Sequence, residues 1–332
     1  MHESYDSYNL SPAQAERQLL KEVGRTELGH NLLRYLEEQG ITVVVTEEVP
    51  PVLGAGAVAG GGYIPAEKKI YLDPRAGIDR LVHFFAHETR HVAQTEQEMA
   101  RNFSAAMFEP EGWLLNARLM EMDADAFAVY FVFNHARETG SAIFDTLSKN
   151  ASWRDNPDSL EADRAPLYNA FYSAWVRNGR EYEAGAMQAT ALAWLANEQL
   201  VTAYNNSALE SWRSTAWLAL TVNAQAHDSP FARAFAEAVR VAPPAEALLT
   251  DRASGYTGLF VAFGVPDYVA EEELDAFTQK LAAKTTPITT TAARELRRAK
   301  DDFTTAAMHY LDSAEGAAPA GPAQTRPPVA AA

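Results

Sequence analysis

The chain contains no cysteine, which excludes disulfides, thiolate metal sites and thiol nucleophiles together. Positive charge is scarce: 28 Lys and Arg stand against 44 Asp and Glu, leaving a net charge of -16 at pH 7. Binding of nucleic acid or of an anionic membrane surface needs clustered basic residues, so neither partner is expected. No stretch approaches the roughly 18 uninterrupted apolar residues of a membrane span. The opening segment MHESYDSYNLSPAQAERQ has neither the basic start nor the apolar stretch of a signal peptide. A soluble, cytoplasmic protein is the expectation, and the missing cysteines are compatible with a reducing compartment. What the chain does have is ordinary globular material: 332 residues, 47% hydrophobic and 22% charged, enough for a packed core.

The strongest local pattern lies in LVHFFAHETRHVAQ, from Leu81 to Gln94, where His87-Glu88-Thr89-Arg90-His91 reads His-Glu-x-x-His. Residues four apart share one face of an α-helix, so both imidazoles can point at a single metal ion. Glu88 follows about 100° further round, beside such an ion, where a general base for a water molecule belongs. Two histidines alone hold zinc poorly, since a catalytic site has three protein ligands and an open fourth position. Some thirty residues later LMEMDADAFA, from Leu119 to Ala128, supplies Glu121 as the best third ligand, with Asp123 as the fallback. Asp125, one turn beyond Glu121, can accept a hydrogen bond from the second ring nitrogen of a ligand histidine, fixing its tautomer and raising its basicity. Carboxylates in so apolar a helix are costly unless paired, and a metal with its histidines would pair them. His83 continues the stripe of His87 and His91, but eight residues of helix span about 12 Å, too far for one tetrahedral ion. It is expected to pack or to line a cleft. Gln94 falls near the same face, close enough to hydrogen-bond beside the site, whereas Arg90 points away, solvated or paired.

The order His87-Glu88-x-x-His91 followed by Glu121-x-x-Ala124-Asp125 resembles the paired signatures of the gluzincin metallopeptidases. More narrowly, HETRHVAQ followed by EMDADAFA is similar to a group of uncharacterised bacterial metallopeptidase-type domains. The resemblance covers roughly Ile41 to Gly140, and none is seen beyond it. It implies a zincin-like core, Zn2+ held by His87, His91 and Glu121, Glu88 as general base, Asp125 as the support behind a ligand, and a polypeptide substrate. The metzincin pattern does not fit, because it would need Gly at 94 and His at 97, where Gln94 and Gln97 stand. A zincin fold that binds metal without turnover, as a structural or interaction protein, is the alternative reading. An all-helical binding protein with no metal is a third.

In chain order, Ser11-Pro12 with Gln14 reads as a helix start, with stops at Gly24 and Gly40 framing a second helix. Ile41–Thr46 reads as a strand. PPVLGAGAVAGGG, residues 50–62, lacks the Gly-Lys-Ser/Thr of a phosphate loop and reads as a flexible loop or substrate-side lid. Gly62–Pro65 and Lys69–Leu72 read as two short strands, with Tyr63 or Tyr71 as candidate donors to a developing oxyanion. The resemblance would place substrate along this pair. The expected fold is α+β, with a zincin-like core carrying a small sheet on the motif helix, followed by a mainly α-helical region. Expected boundaries are 1–140 for the core, 141–314 for the helical region, a possible protein-partner surface, and 315–332 for a disordered Pro/Ala tail. His135, His227 and His309 lack partners at ligand spacing, and Trp194, Trp212 and Trp217 are expected in the core.

Overall fold

A computed structural model describes residues 10–50, 60–96, 110–149, 164–181 and 183–204, with five single positions between 276 and 305. The glycine-rich segment 51–59, most of the expected helical region beyond residue 204, Trp212, Trp217, His227, His309 and the tail lie outside them.

Two short helices open the described chain. Helix α1 (Pro12–Val23) begins as its sequence predicts, Gln14 Oε1 accepting from the Ser11 backbone N–H at 3.0 Å. It buries Ala15, Leu19 and Val23, one face at four-residue spacing. Helix α2 (Glu27–Glu38) is capped by Thr26, whose hydroxyl accepts from Gly29 N–H, and buries Leu28, Leu32 and Leu36. Strand β1 (Thr42–Val45), strand β2 (Gly61–Ile64) and strand β3 (Lys69–Leu72) form one sheet in the order β1-β3-β2. β1 runs parallel to β3, Thr42 opposite Lys69, and β2 runs antiparallel to it, Gly61 opposite Leu72. β2 is therefore an edge strand among the described residues.

Helix α3 (Ile78–Glu96) carries the motif and packs against β2 and β3 as well as against α4 (Pro110–Thr139). The short α5 (Ile143–Ser148) follows, then α6 (Ala165–Arg177) and α7 (Glu183–Ala196), which pack on each other and on α4. Residues 198–204 continue as helix after Asn197, whose side chain accepts from the Gln199 and Leu200 amides. The protein is mostly helical with a small mixed sheet, an α+β fold, and no described helix is long and apolar enough to cross a membrane.

The two central helices differ from expectation in one respect. A surface helix ordinarily has a wet face and a single apolar stripe. Instead α4 is buried on every side from Met122 to Phe133, Phe127, Phe131 and Val132 being fully enclosed. α3 is likewise enclosed, Arg90 and Thr89 included. Every polar side chain on these faces has to find a partner inside the protein.

Candidate metal centre

The close approach of α3 to the sheet depends on Gly61. A Cβ there would come within 2.7 Å of Leu72 Cδ2 and 3.1 Å of the Tyr71 carbonyl oxygen, and 3.4 Å from Glu88 Cγ. The bare backbone lets β2 lie beside Glu88, whose buried carboxylate accepts a hydrogen bond from the Tyr63 backbone N–H. Burial pushes the Glu88 pKa up, with His87 and His91 acting against it.

One helical turn separates His87 from His91, and α4 brings Glu121 across from both. His87 Nε2 lies 3.0 Å from His91 Nε2 and 3.1 Å from Glu121 Oε2, and His91 Nε2 lies 3.5 Å from Glu121 Oε1. The other ring nitrogens settle the tautomers. His87 Nδ1 donates to Asp125 Oδ1 at 3.1 Å. His91 Nδ1 faces Gln94 Oε1 at 2.7 Å. That atom is the amide oxygen, because Gln94 Nε2 donates to the Met120 carbonyl (3.0 Å) and to Asp123 Oδ2 (2.7 Å). With protons on both Nδ1 atoms, the two Nε2 lone pairs and a carboxylate converge on one point. Three acceptors so placed could hold a cation. A tetrahedral zinc with bonds of about 2.0–2.1 Å would hold its ligand atoms about 3.3–3.4 Å apart. The donor set and its spacing fit that ion.

The charges agree. Burial disfavours a protonated His87, but Asp125 and Glu121 outweigh it and push its pKa up to about 10. His91 is raised as well: burial opposes, and Glu121 prevails. Glu121 falls to about 2, the penalty of burial being overcome by the two histidines. A proton on His87 can meet this demand only between two of the atoms, whereas a cation among all three satisfies them together.

Behind the histidines stand two further groups. Asp125 Oδ1 accepts from His83 Nε2 (3.1 Å) and Arg164 Nε (2.9 Å) besides His87, and its Oδ2 accepts from Trp194 Nε1 (2.8 Å). His83, fully buried, takes its remaining hydrogen bond at Nδ1 from the Tyr168 hydroxyl at 2.8 Å. Burial lowers its pKa to about 4, so it stays neutral. His83 thus lies on Asp125 inside the core and does not line an open cleft. Although His83, His87 and Asp125 also lie within 4.8 Å of one another, Arg164 already supplies the positive charge there. Asp123 is not a spare acid. It accepts from Arg90 Nε (2.7 Å) and Nη2 (3.1 Å) with both groups fully buried, so Arg90 is paired and not solvated. Tyr63 is buried in β2, and the Tyr71 hydroxyl donates to Glu67 at 2.6 Å.

Arg164, Trp194, Tyr168 and Tyr204 were not singled out by sequence. They carry no local spacing, and Trp194 looked like an ordinary core residue, which it also is. The one available signal was Asp125 itself: a carboxylate in an apolar helix needs more partners than a single histidine provides.

A family model described as "Putative metallopeptidase family (DUF6782)" matches residues 31–239. The chain belongs to that family, which makes a metal ion and a peptide substrate the class-level expectation. The match runs well past Gly140, where the sequence resemblance had ended, and takes in Arg164, Trp194 and Tyr204. No curated protein and no solved structure matches the chain.

Proposed function

We propose that this chain is a zinc-dependent peptidase of gluzincin type with a zincin-like core. His87, His91 and Glu121 hold the ion, Glu88 is the general base, and Asp125 fixes His87. The observation that carries the reading is the convergence of two histidine lone pairs and one carboxylate, 3.0–3.5 Å apart, with the tautomers set from behind. Zinc, when bound, acts as a Lewis acid towards the peptide carbonyl and lowers the pKa of water. Glu88 takes the proton of the attacking water as its oxygen adds to the carbonyl carbon. Glu88 then passes that proton to the amide nitrogen as the C–N bond breaks, leaving a carboxylic acid and an amine. The Tyr63 N–H donates to the Glu88 carboxylate, and β2, an edge strand among the described residues, suits an extended polypeptide.

Elemental analysis of tag-free protein tests the site. About one zinc per chain is expected, lost in His87→Ala and in Glu121→Ala. Glu88→Gln should keep the zinc and lose hydrolysis of fluorescent casein by about a hundredfold or more. Absence of zinc after dialysis against it would overturn the reading. Zinc retained with casein hydrolysis unchanged in Glu88→Gln would move the protein to the metal-binding class without this chemistry.

A further inference from the structure

A peptide carbonyl under attack gathers negative charge on its oxygen, and a fixed hydrogen-bond donor there contributes much of the rate. Of the tyrosines expected near β2, Tyr71 spends its hydroxyl on Glu67. Tyr204 is placed differently. Its oxygen accepts from Arg164 Nη2 at 3.0 Å while Arg164 Nε holds Asp125, which in turn holds His87. Its ring lies on Trp194, centroids 5.6 Å apart, and Trp194 is itself tied to Asp125. The phenol is therefore fixed by the same two side chains that fix the support of His87. With Arg164 donating to the oxygen, the hydroxyl hydrogen is left to point elsewhere, and no described residue accepts it. Tyr204 also lies within electrostatic reach of the site: burial is the largest influence raising its pKa, and the Glu121 and Glu88 carboxylates add to it. The phenol thus stays protonated, one arginine away from the carboxylate that supports His87.

We propose that Tyr204, held by Arg164 and Trp194, is a catalytic residue that donates a hydrogen bond to the carbonyl oxygen of the peptide being cleaved. The proposal rests on the zinc-peptidase reading and assigns the helical second half a direct part in it. Arg164 is a positioning residue, and its cation polarises the phenol into a stronger donor.

Acetohydroxamate, whose carbonyl oxygen stands for that of a peptide, provides the probe, with affinity read by calorimetry on zinc-loaded protein. Tyr204→Phe keeps the ring on Trp194 and removes only the hydroxyl. It should bind acetohydroxamate about tenfold to a hundredfold more weakly than wild type, the value of one hydrogen bond to a charged oxygen. Its zinc content should be unchanged, and its urea midpoint should fall only by the small amount that one lost hydrogen bond to Arg164 costs. Equal affinity in the two proteins would overturn the proposal. So would loss of zinc or of the urea transition in Tyr204→Phe, since the hydroxyl would then be a prop for the ligands. Failure of zinc-loaded wild type to bind acetohydroxamate would overturn it as well, because no open position would face Tyr204. Wild type that takes up no zinc fails one step earlier, and brings down the zinc-peptidase reading with the proposal.

Discussion

The two histidines of the motif are one turn apart and chemically identical, yet they are held in unlike ways. His87 donates directly to a carboxylate, Asp125, which three other side chains from α3, the start of α6 and α7 also hold. His91 donates to a neutral amide, Gln94 of its own helix, and only through it meets Asp123 and Arg90. A carboxylate behind an imidazole raises its basicity more than an amide does, because a full charge stabilises positive charge on the ring. The comparison also separates long-range from local support. His87 depends on residues up to 69 positions from Asp125 in the chain, whereas His91 depends on its neighbour three residues on, with α4 behind it.

Breaking the stronger side should have the largest effect. Asp125→Ala removes the carboxylate to which the buried Arg164, His83 and Trp194 all donate. Truncating one partner of a buried ion pair typically costs about 3–5 kcal/mol, and loss of the outer carboxylate about tenfold to a hundredfold in metal affinity. Urea unfolding of the metal-free protein reads the first and competition with a chelator the second. Adding Arg164→Met should recover part of the stability, since the uncompensated charge is then gone. A double variant no more stable than Asp125→Ala would show that the orphaned arginine is not the cause.

On the weaker side, Gln94→Ala leaves Asp123 and Arg90 paired with each other. The expected loss is about 1–2 kcal/mol, that of hydrogen bonds to a buried polar group, with metal affinity falling by about tenfold, the low end for such supports. If Gln94→Ala weakens zinc binding more than Asp125→Ala does, the ranking of the two supports is wrong.

The same contrast explains what the sequence could disclose. His87, Glu88 and His91 follow from helical spacing alone, as does the shared face of Glu121 and Asp125, four residues apart. The α+β character was readable because β1, β3 and the caps of α1 and α2 are written in short local patterns. Arg90, expected to be solvated or paired, is paired, and its partner is Asp123, which had read as a spare acid. Spacing places each away from the metal-facing side, and a helix in a protein of this size ordinarily has a solvated face there. Around these two residues α3 and α4 have none, so the outward side of each faces more protein there, and the two residues meet in a buried ion pair. Arg164, Trp194 and Tyr204 were out of reach because tertiary packing alone joins them to Asp125.

A third histidine sharpens the rule that the partner decides the charge. His135, near the end of α4, donates from Nε2 to the Glu22 carbonyl of α1 at 2.9 Å, while its Nδ1 has no hydrogen-bond partner among the described residues. The groups facing it include Glu22, Arg25 and Glu138, with Glu22 Oε2 3.6 Å away. Burial is the largest single influence on both rings; at His135 it prevails and lowers the pKa, whereas at His87 Asp125 and Glu121 together outweigh it. The folded state prefers the neutral ring, and the unfolded chain takes up a proton near the ordinary value of about 6.5. The unfolded state thus binds more protons just below that pH, so the stability this ring contributes is complete above it and is lost as pH falls towards the folded value. His135→Gln can keep a donor for the Glu22 carbonyl and does not titrate. The stability difference between wild type and His135→Gln, measured by urea unfolding at constant metal content, should therefore shift against wild type between pH 7.5 and pH 5.5. It should be the smallest of these effects. A difference that stays constant over that interval would mean that His135 titrates alike in the folded and unfolded chains, and that its burial between α4 and α1 does not disfavour the charged ring.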